Sequence, residues 1–188
     1  MGLIEDRVRE SIGTKQKILN DKGLISLIQE TAYMMAGVLA AGGKILLCGN
    51  GGSASDSLHI AGELVGRFRK ERGPLPAIAL NADVASMTAI ANDYGYDRIF
   101  SRAVEGYMDA ADLLVGISTS GNSENVYQAF LKAKEIGGRA VALLGRDGGK
   151  IKDVVDVAVI VPDDVTARIQ EAHIMIGHII CELIEEMM

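Results

Sequence analysis

Apolar residues near the start of the chain recur at the spacing of an α-helix. They do so over residues 3–20 and again over 24–40, so that one side of each predicted helix is apolar. Two glycines, Gly42 and Gly43, follow the second stretch, and glycine commonly ends a helix. The pattern therefore predicts two amphipathic helices that precede the main body of the chain.

Beyond these helices the pattern changes to short, continuous apolar runs that alternate with helical stretches. A short apolar run is typical of a strand buried on both faces, and strands that alternate with helices favour a parallel sheet. The predicted strands are at 44–48, 77–80, 113–117, 139–144 and 155–161, and the predicted helices are at 53–68, 84–91, 97–109, 123–136 and 164–186. The prediction is a single α/β domain over residues 1–188, with a doubly wound, five-stranded parallel sheet and flanking helices.

Composition narrows the classes of function. The chain has 188 residues, which suits one domain, and a net charge of -6, which weighs against nucleic acid as a partner. Its two cysteines, Cys48 and Cys181, each lie in an apolar run, as reduced core residues do. No apolar run is expected to approach the ~20 residues that span a bilayer. We therefore expect a cytoplasmic protein with neither a membrane nor nucleic acid as a partner.

A turn rich in hydroxyl groups follows the third predicted strand. Residues 118–123 (STSGNS) place four hydroxyls and a glycine just before a predicted helix. Backbone N–H groups at such a turn, with the positive end of the helix dipole, make a site for an anion such as phosphate. The alternative is that Ser123 caps the helix while the other hydroxyls face water. The position of the turn at the carboxyl end of a strand favours phosphate.

A glycine-rich turn follows the first predicted strand. Residues 49–53 (GNGGS) include three glycines, which let a ligand approach the main chain closely. Neither turn contains a lysine, and their spacing matches neither the triphosphate-binding nor the dinucleotide-binding pattern. We therefore expect one turn to hold a phosphate and the other to hold hydroxyls of an extended polyol. The basic residues cluster instead at 67–72, where a solvated helix end is expected.

Candidate acid–base residues lie on two predicted helices. His59 and Glu63 are four residues apart, so they share one helix face and can converge on a metal or on a substrate carbon. The final helix carries Gln170, His173 and His178. Gln170 and His178 are separated by ~12 Å along the helix axis. For each histidine taken alone, a hydrogen-bonded core or interface position is the more common role.

Longer stretches around these motifs can be compared with known families, namely residues 48–68, 88–102, 116–126, 145–150 and 167–185. Together they resemble the bacterial phosphoheptose isomerases, which belong to the SIS (sugar isomerase) family. The resemblance runs over essentially the whole chain. The serine-rich turn is common to the broader SIS group, whereas the HxxxE and QExHxxxxH elements are more specific.

The resemblance implies an activity, a site and an assembly. It implies isomerisation of sedoheptulose 7-phosphate to D-glycero-D-manno-heptose 7-phosphate through an enediol, the first step toward the activated heptose of surface glycans. Glu63 would move the proton between C1 and C2, and His178 would be its acid–base partner. The resemblance also implies zinc, held by His59, Glu63, Gln170 and His178, and a homotetramer with sites between subunits, in which residues 1–41 take part in packing. The substrate-binding residues that it implies are Asn50, Gly51, Gly52, Ser53, Glu63, Arg67, Asn92, Asp93, Ser118, Thr119, Ser120, Ser123 and Gln170.

Two alternatives stay open at this stage. Non-catalytic SIS proteins that bind a replication initiator share parts of the sequence, but those relatives lack the carboxylate at the position of Glu63 and the imidazole at that of His178. An isomerase of another ketose phosphate would use the same chemistry in a pocket of different length. One departure from the family is Ala167, where its best-known members carry an acidic residue, so an auxiliary acid is not expected there.

Overall fold

The computed structural model describes residues 2–188 of the chain. These residues form seven α-helices and five β-strands, with short 3-10 turns at Tyr96–Arg98 and Ile151–Asp153. The strands are β1 Ile45–Gly49, β2 Ala77–Ala79, β3 Leu113–Ser118, β4 Arg139–Gly145 and β5 Val157–Val161. The helices are α1 Leu3–Asn20, α2 Lys22–Ala40, α3 Gly52–Val65, α4 Val84–Tyr94, α5 Ile99–Tyr107, α6 Glu124–Ile136 and α7 Thr166–Met187.

All five strands pair in parallel in one sheet, in the order β2-β1-β3-β4-β5. Successive residues of β1 point to opposite faces of the sheet, and both faces are apolar. Ile45 and Leu47 join a core cluster with α1, α2, α3 and α7, whereas Leu46 and Cys48 join a second cluster with α5 and α6. Helices therefore cover both sides of the sheet. The predicted doubly wound α/β fold, with five parallel strands and two N-terminal helices, is confirmed.

The strand order reverses between β1 and β3. The chain leaves β1 for β2 on one side and then crosses to β3 on the other, which opens a crevice at the carboxyl ends of β1 and β3. Gly49, the last residue of β1, is paired in register with Ile117 of β3. The glycine-rich turn and the serine-rich turn therefore begin side by side, at the edge of the sheet where ligands collect.

Helix α2 has the length and apolar character of a membrane span, with a mean hydropathy of 1.3 over its most apolar window. The expectation that no apolar run approaches this length is therefore wrong for α2. Eight of its residues are buried, among them Ala32 and Met35, and the helix packs against α7 and β5. A core helix of a folded domain meets the same criterion of length and composition, and α2 is such a helix.

Helix α3 ends at Val65, three residues earlier than predicted. The backbone N–H groups of Phe68, Arg69 and Lys70 donate to the carboxylate of Glu185 in α7. In a continuing helix these N–H groups would bond to carbonyls one turn earlier in the same helix. The competing acceptor is remote in sequence, which is why the local pattern did not predict it. The basic segment therefore folds back on α7 after the end of α3. Arg67, Arg69 and Lys70 are exposed there, as predicted for a solvated segment, whereas Arg72 is mostly buried.

His173 is a core residue of α7. Its ring is fully buried, and Nε2 lies 2.8 Å from the carbonyl oxygen of Leu144 in β4. Burial lowers the pKa of the His173 imidazole from 6.5 to about 4, and the bond to the carbonyl only partly opposes this effect. The native ring is therefore neutral, and its Nε2–H ties α7 to the carboxyl end of β4. This is the hydrogen-bonded core role considered for a lone histidine.

We expect the stability of the fold to decrease as the pH falls from about 6.5 toward 4, because unfolded His173 takes up a proton that the native state excludes. For this group the loss is about 2 kcal/mol between pH 7 and pH 5. The variant His173→Gln keeps a side-chain N–H but does not titrate, so its stability should depend less on pH. Urea unfolding of both proteins at the two pH values measures the difference, and equal pH dependence would contradict this explanation.

Candidate active site

The glycine-rich turn after β1 is shaped by its contact with α7. Gly51 has a φ of 56°, in a backbone conformation that favours glycine. Gly52 begins α3, and a Cβ added there would lie 2.5 Å from Gln170 Nε2. Ser53, the next residue, is buried. The side chain of Gln170 therefore covers the start of α3, beside the glycine-rich turn.

Two asparagines bridge the glycine-rich and serine-rich turns. Asn50 Nδ2 donates to Asn125 Oδ1 at 2.8 Å, and Asn125 Nδ2 donates back to Asn50 Oδ1 at 2.9 Å. The Tyr96 hydroxyl also donates to Asn50 Oδ1, at 2.9 Å. Asn125 is 3% exposed and Asn50 is partly exposed, so the amide pair lies at the edge of the core with its polar groups paired. The sequence analysis missed Asn125 and Tyr96, because neither residue type is unusual at a helix start or on a surface.

The serine-rich turn gathers hydroxyls next to the first residue of α6. Ser118 is buried at the end of β3, and its Oγ lies 2.9 Å from Ser123 Oγ. Thr119 and Ser120 are partly exposed. Ser123 occupies the N-cap position, but within the described chain its side chain makes no bond to a backbone N–H of α6. The alternative in which Ser123 caps the helix is therefore wrong, and the hydroxyl belongs to the cluster.

The loop of residues 145–150 supports the serine-rich turn through main-chain contacts. Gly121 has a φ of 66°, and a Cβ added there would lie 2.1 Å from the carbonyl oxygen of Gly148. The Ile151 N–H donates to the Gly121 carbonyl oxygen at 3.0 Å. Any side chain at residue 121 would displace this loop, so the turn packs against the loop only because residue 121 is glycine.

A cluster of two histidines and one glutamate lies where α3 meets α7. His59 Nε2 is 3.0 Å from Glu63 Oε1, and His178 Nε2 is 3.2 Å from His59 Nε2. The candidate ligand atoms of all three residues lie within 4.8 Å of one another. The side chains of His59 and Glu63 are 49% and 22% exposed, so the cluster is open to solvent in the single chain. Glu63 and His178, which were predicted to be the catalytic pair, therefore share one site.

Helices α3 and α7 pack closely at Gly177. A Cβ on Gly177 would lie 2.6 Å from Ile60 Cδ1. Because Gly177 precedes His178 and Ile60 follows His59, this contact brings the two imidazoles together. Their centroids are 4.9 Å apart in an edge-to-face arrangement, and the Phe68 ring stacks on His178 at 5.3 Å. The geometry of the histidines is thus set by helix packing.

The donor set of the cluster fits a metal ion such as zinc. Zinc binds imidazole nitrogen and carboxylate oxygen, and the three side chains offer two imidazoles and one carboxylate. Two imidazole nitrogens that face each other at 3.2 Å are stabilised by a shared proton or by a cation. Gln170, the fourth predicted ligand, contacts Gly52, which lies ~10 Å along α3 from His59. Its role as a ligand stays a prediction.

Asp56 lies one turn before His59 on α3, and the sequence analysis did not select it. Its Oδ2 atom is buried and has no hydrogen-bond partner among residues 2–188. Burial raises the pKa of the Asp56 carboxyl to about 6, and the nearby His59 opposes this rise. A carboxyl that titrates near neutral pH therefore lies next to the cluster. Its burial was not predictable, because an aspartate between two serines is ordinary on a solvent-facing helix.

The remaining predicted site residues lie on the surface of the chain. Arg67 is exposed, and its Nε is 3.5 Å from Glu71 Oε2. Asn92 Nδ2 donates to Asp93 Oδ1 at 2.8 Å on the exposed side of α4. Ala167 is exposed in the first turn of α7. The substrate-binding roles of Arg67, Asn92 and Asp93 stay predictions.

Comparison with known proteins identifies the relatives of this chain. The SIS domain family matches it over residues 17–145. The phosphoheptose isomerase of Sulfurimonas denitrificans is 49% identical over 183 residues, which cover 97% of this chain and 94% of that protein. Solved structures of phosphoheptose isomerases from Neisseria gonorrhoeae and Francisella tularensis superpose with TM-scores of 0.91 and 0.93, at 45% and 38% identity. The superpositions cover 97% of this chain in both cases, and 97% and 96% of the other two chains.

The parallel sheet, the hydroxyl-rich turn at its switch point and the family match define an SIS-domain protein. The identity and coverage of the relatives go further. This chain belongs to the phosphoheptose isomerase family of sugar-phosphate isomerases. The resemblance found in the sequence is thereby confirmed.

Proposed function

We propose that this protein interconverts sedoheptulose 7-phosphate and D-glycero-D-manno-heptose 7-phosphate. The observation that carries the proposal is the meeting of Glu63 and His178 in one cluster, with candidate ligand atoms within 4.8 Å. An enediol isomerisation needs a carboxylate and an imidazole at the same end of the sugar. The name shared by the relatives supports a heptose phosphate as the substrate.

In the direction from ketose to aldose, Glu63 removes a proton from C1 while His178 donates a proton to the C2 carbonyl oxygen, which gives an enediol. Glu63 then returns a proton to C2, and the C1 hydroxyl gives up its proton to His178 as the aldehyde forms. No proton is consumed over the cycle. His59 lies 3.2 Å from His178, Nε2 to Nε2, and 3.0 Å from Glu63, so it can share a proton with either partner.

The opposite end of the substrate is held by neutral donors. Backbone N–H groups and the dipole at the start of α6 attract a phosphate, and the adjoining hydroxyls add further donors. The sugar hydroxyls lie along the glycine-rich turn, where the exposed main chain of Gly51 and Gly52 permits close approach. The residues proposed for the phosphate are Ser53, Ser118, Thr119, Ser120 and Ser123.

One zinc ion per subunit is part of the proposal. His59, Glu63 and His178 would hold it, with Gln170 as the fourth ligand. When bound, zinc would polarise the substrate carbonyl as a Lewis acid. The glutamine ligand favours a weakly held, exchangeable ion over a structural one. As a ligand, Glu63 would be less free to act as a base, so its two proposed roles compete.

We also propose a homotetramer in which active sites form between subunits and residues 1–41 take part in packing. Two surfaces support it. An apolar cavity of about 470 Å³ lies between α1, α2 and α7, and Leu19 of α1, which is 67% exposed, lines it. Every residue of α4 keeps contact with solvent, including Val84, which is 66% exposed. Apolar surfaces of this kind are typical of interfaces between subunits. Helix α4 also carries Asn92 and Asp93, which are predicted to bind the substrate, so an interface there would include site residues.

We place the reaction in the cytoplasm, as the first step toward the activated heptose of surface glycans. The two cysteines, Cys48 and Cys181, are free and buried, which supports a reducing compartment. The pathway follows from the proposed product, since a heptose 7-phosphate must be activated before its transfer to a glycan.

The variant Glu63→Gln should lose turnover by roughly 10²–10⁴-fold, because the amide cannot accept the carbon-bound proton. Binding of the sugar phosphate should persist, since the serine-rich turn is unchanged. Rates are measured with the seven-carbon ketose phosphate, and binding is measured by calorimetry. Glu105→Gln, at an exposed position of α5, is the control and should match the unmodified protein. A Glu63→Gln rate within a few fold of normal would reject Glu63 as the base, and turnover of only shorter ketose phosphates would reject the substrate.

The metal-free protein should bind about one zinc ion per chain, and His59→Asn should weaken that binding by at least ~10-fold. Calorimetric titration with zinc measures the affinity without any reference to activity. His173→Gln is the matched control, because His173 is buried and already bonded to a carbonyl. Equal zinc affinity in all three proteins would place the metal elsewhere. Unchanged activity after verified zinc removal would exclude zinc from the mechanism.

In solution we expect a particle with four times the mass of the 20.0-kDa chain. Leu19→Glu should dissociate it without unfolding α1, because Leu19 is 67% exposed in the single chain and lies beside the apolar cavity. Light scattering after size-exclusion chromatography measures the mass, and circular dichroism checks the helices. Arg9→Glu adds negative charge elsewhere on α1 and should leave the mass unchanged. A monomer at all concentrations would contradict the proposed assembly.

A further inference from the structure

Glu185 in α7 is a buried carboxylate with a complete set of donors. The residue is 5% exposed and lies seven residues after His178 on the same helix. Its oxygens accept from the backbone N–H groups of Phe68, Arg69 and Lys70 at 2.8, 2.8 and 2.9 Å. Burial by itself would raise the pKa of Glu185, but these N–H groups and a nearby guanidinium lower it to about 2. The carboxylate is therefore charged at any physiological pH.

Arg72 connects this carboxylate to the end of α3. Its Nε donates to Glu185 Oε1 at 3.1 Å, and its Nη2 and Nη1 donate to the carbonyl oxygens of Glu63 and Leu64, each at 2.8 Å. The last carbonyls of a helix have no partner inside the helix, and a cation at that end also opposes the helix dipole. One planar guanidinium thus fixes the main chain of Glu63 relative to α7.

Phe68 connects the same carboxylate to His178. The Phe68 N–H is held by Glu185, and the Phe68 ring stacks on the His178 imidazole, with centroids 5.3 Å apart and planes 20° apart. The Glu185 carboxylate is therefore connected to two members of the cluster. It is connected to the backbone of Glu63 through Arg72 and to the ring of His178 through Phe68.

Attachment of the basic segment to α7 does not by itself require this buried pair. Arg69 pairs with Glu182, and Lys70 pairs with Glu186 at 2.8 Å, on the exposed side of the segment. Those contacts hold the segment to the same helix, yet they reach neither Glu63 nor His178. The buried bonds differ from them, because one ends at the main chain of Glu63 and another holds Phe68, whose ring stacks on His178.

We propose that Glu185 and Arg72 are positioning residues that set the placement of Glu63 relative to His178. Neither touches the substrate in this role. The catalytic part of the inference rests on the proposed isomerase function, whereas the geometric part does not.

The first test compares two matched pairs of variants. Arg72→Lys keeps the charge but cannot bond Glu185 and both carbonyls together, and Arg69→Lys is its control on the same segment. Glu185→Gln replaces one carboxylate oxygen with an amide NH2 group, which cannot accept a bond from the backbone N–H groups. Glu182→Gln is its control, one turn earlier on α7. We expect Arg72→Lys and Glu185→Gln to lower kcat by about 10–100-fold, with KM within about twofold of normal, because the serine-rich turn is untouched. Both controls should keep normal kcat and KM.

The second test does not depend on activity. The chain has three histidines, so metal-free protein with ¹³C-labelled histidine gives few imidazole signals. The stacked Phe68 ring displaces the His178 signals, and Phe68→Leu shows their position without that ring. We expect Arg72→Lys and Glu185→Gln to move the His178 signals toward the Phe68→Leu position, and the two controls to leave them in place.

The outcomes separate the two levels of the inference. His178 signals that stay in place in Arg72→Lys overturn the positioning role, even if Glu185→Gln fails to fold. Displaced signals with normal kcat overturn the catalytic importance of that placement. An unmodified protein without isomerase activity refutes the proposed function, and the imidazole signals still decide the geometry. Displaced signals together with a reduced kcat and an unchanged KM support the whole inference.

Discussion

The close packing of α3 against α7 is the contact on which the candidate site depends. Gly177 lacks a Cβ that would lie 2.6 Å from Ile60, so the two helices can approach at this point. His59 and His178 flank that contact directly. Because protein interiors are close-packed, an added methyl group there would force the Ile60 side chain to move. The cluster of His59, Glu63 and His178 is therefore positioned by two helices, whereas the residues proposed to hold the substrate lie on turns.

The distribution of charge follows from the same packing. One cation of the basic segment, Arg72, pairs with Glu185 inside the fold, while the two turns contain no lysine. A lysine in the turns would lower the proton affinity of a nearby carboxylate base. Hydroxyls and backbone N–H groups can bind phosphate without that effect, because they carry no net charge. A phosphate site built from neutral donors is therefore compatible with the base proposed at Glu63.

The sequence predicted what depends on local periodicity and on strand ends. The continuous run at β1 predicted a strand buried on both faces, and the spacing of His59 and Glu63 predicted their shared helix face. The meeting of that pair with His178 came from the family resemblance, because no local pattern links helices so distant in the chain. The end of α3 was predicted wrongly because its competing partner, Glu185, is far away in sequence. Asn125 was missed because an asparagine is ordinary at a helix start, and its partner Asn50 is also distant in sequence.

The two ends of the candidate site differ in their exposure to solvent within a single chain. The turn end is rigid, because Gly121 packs against loop backbone and Asn50 is locked to Asn125. The reacting end is open, because the His59 side chain is 49% exposed. Enediol intermediates must be protected from water, and proton transfers are most selective in a closed site. A cluster fixed by helix packing but exposed on one side therefore calls for a cover from outside the chain, and a second copy of the same protein would supply it in the proposed assembly.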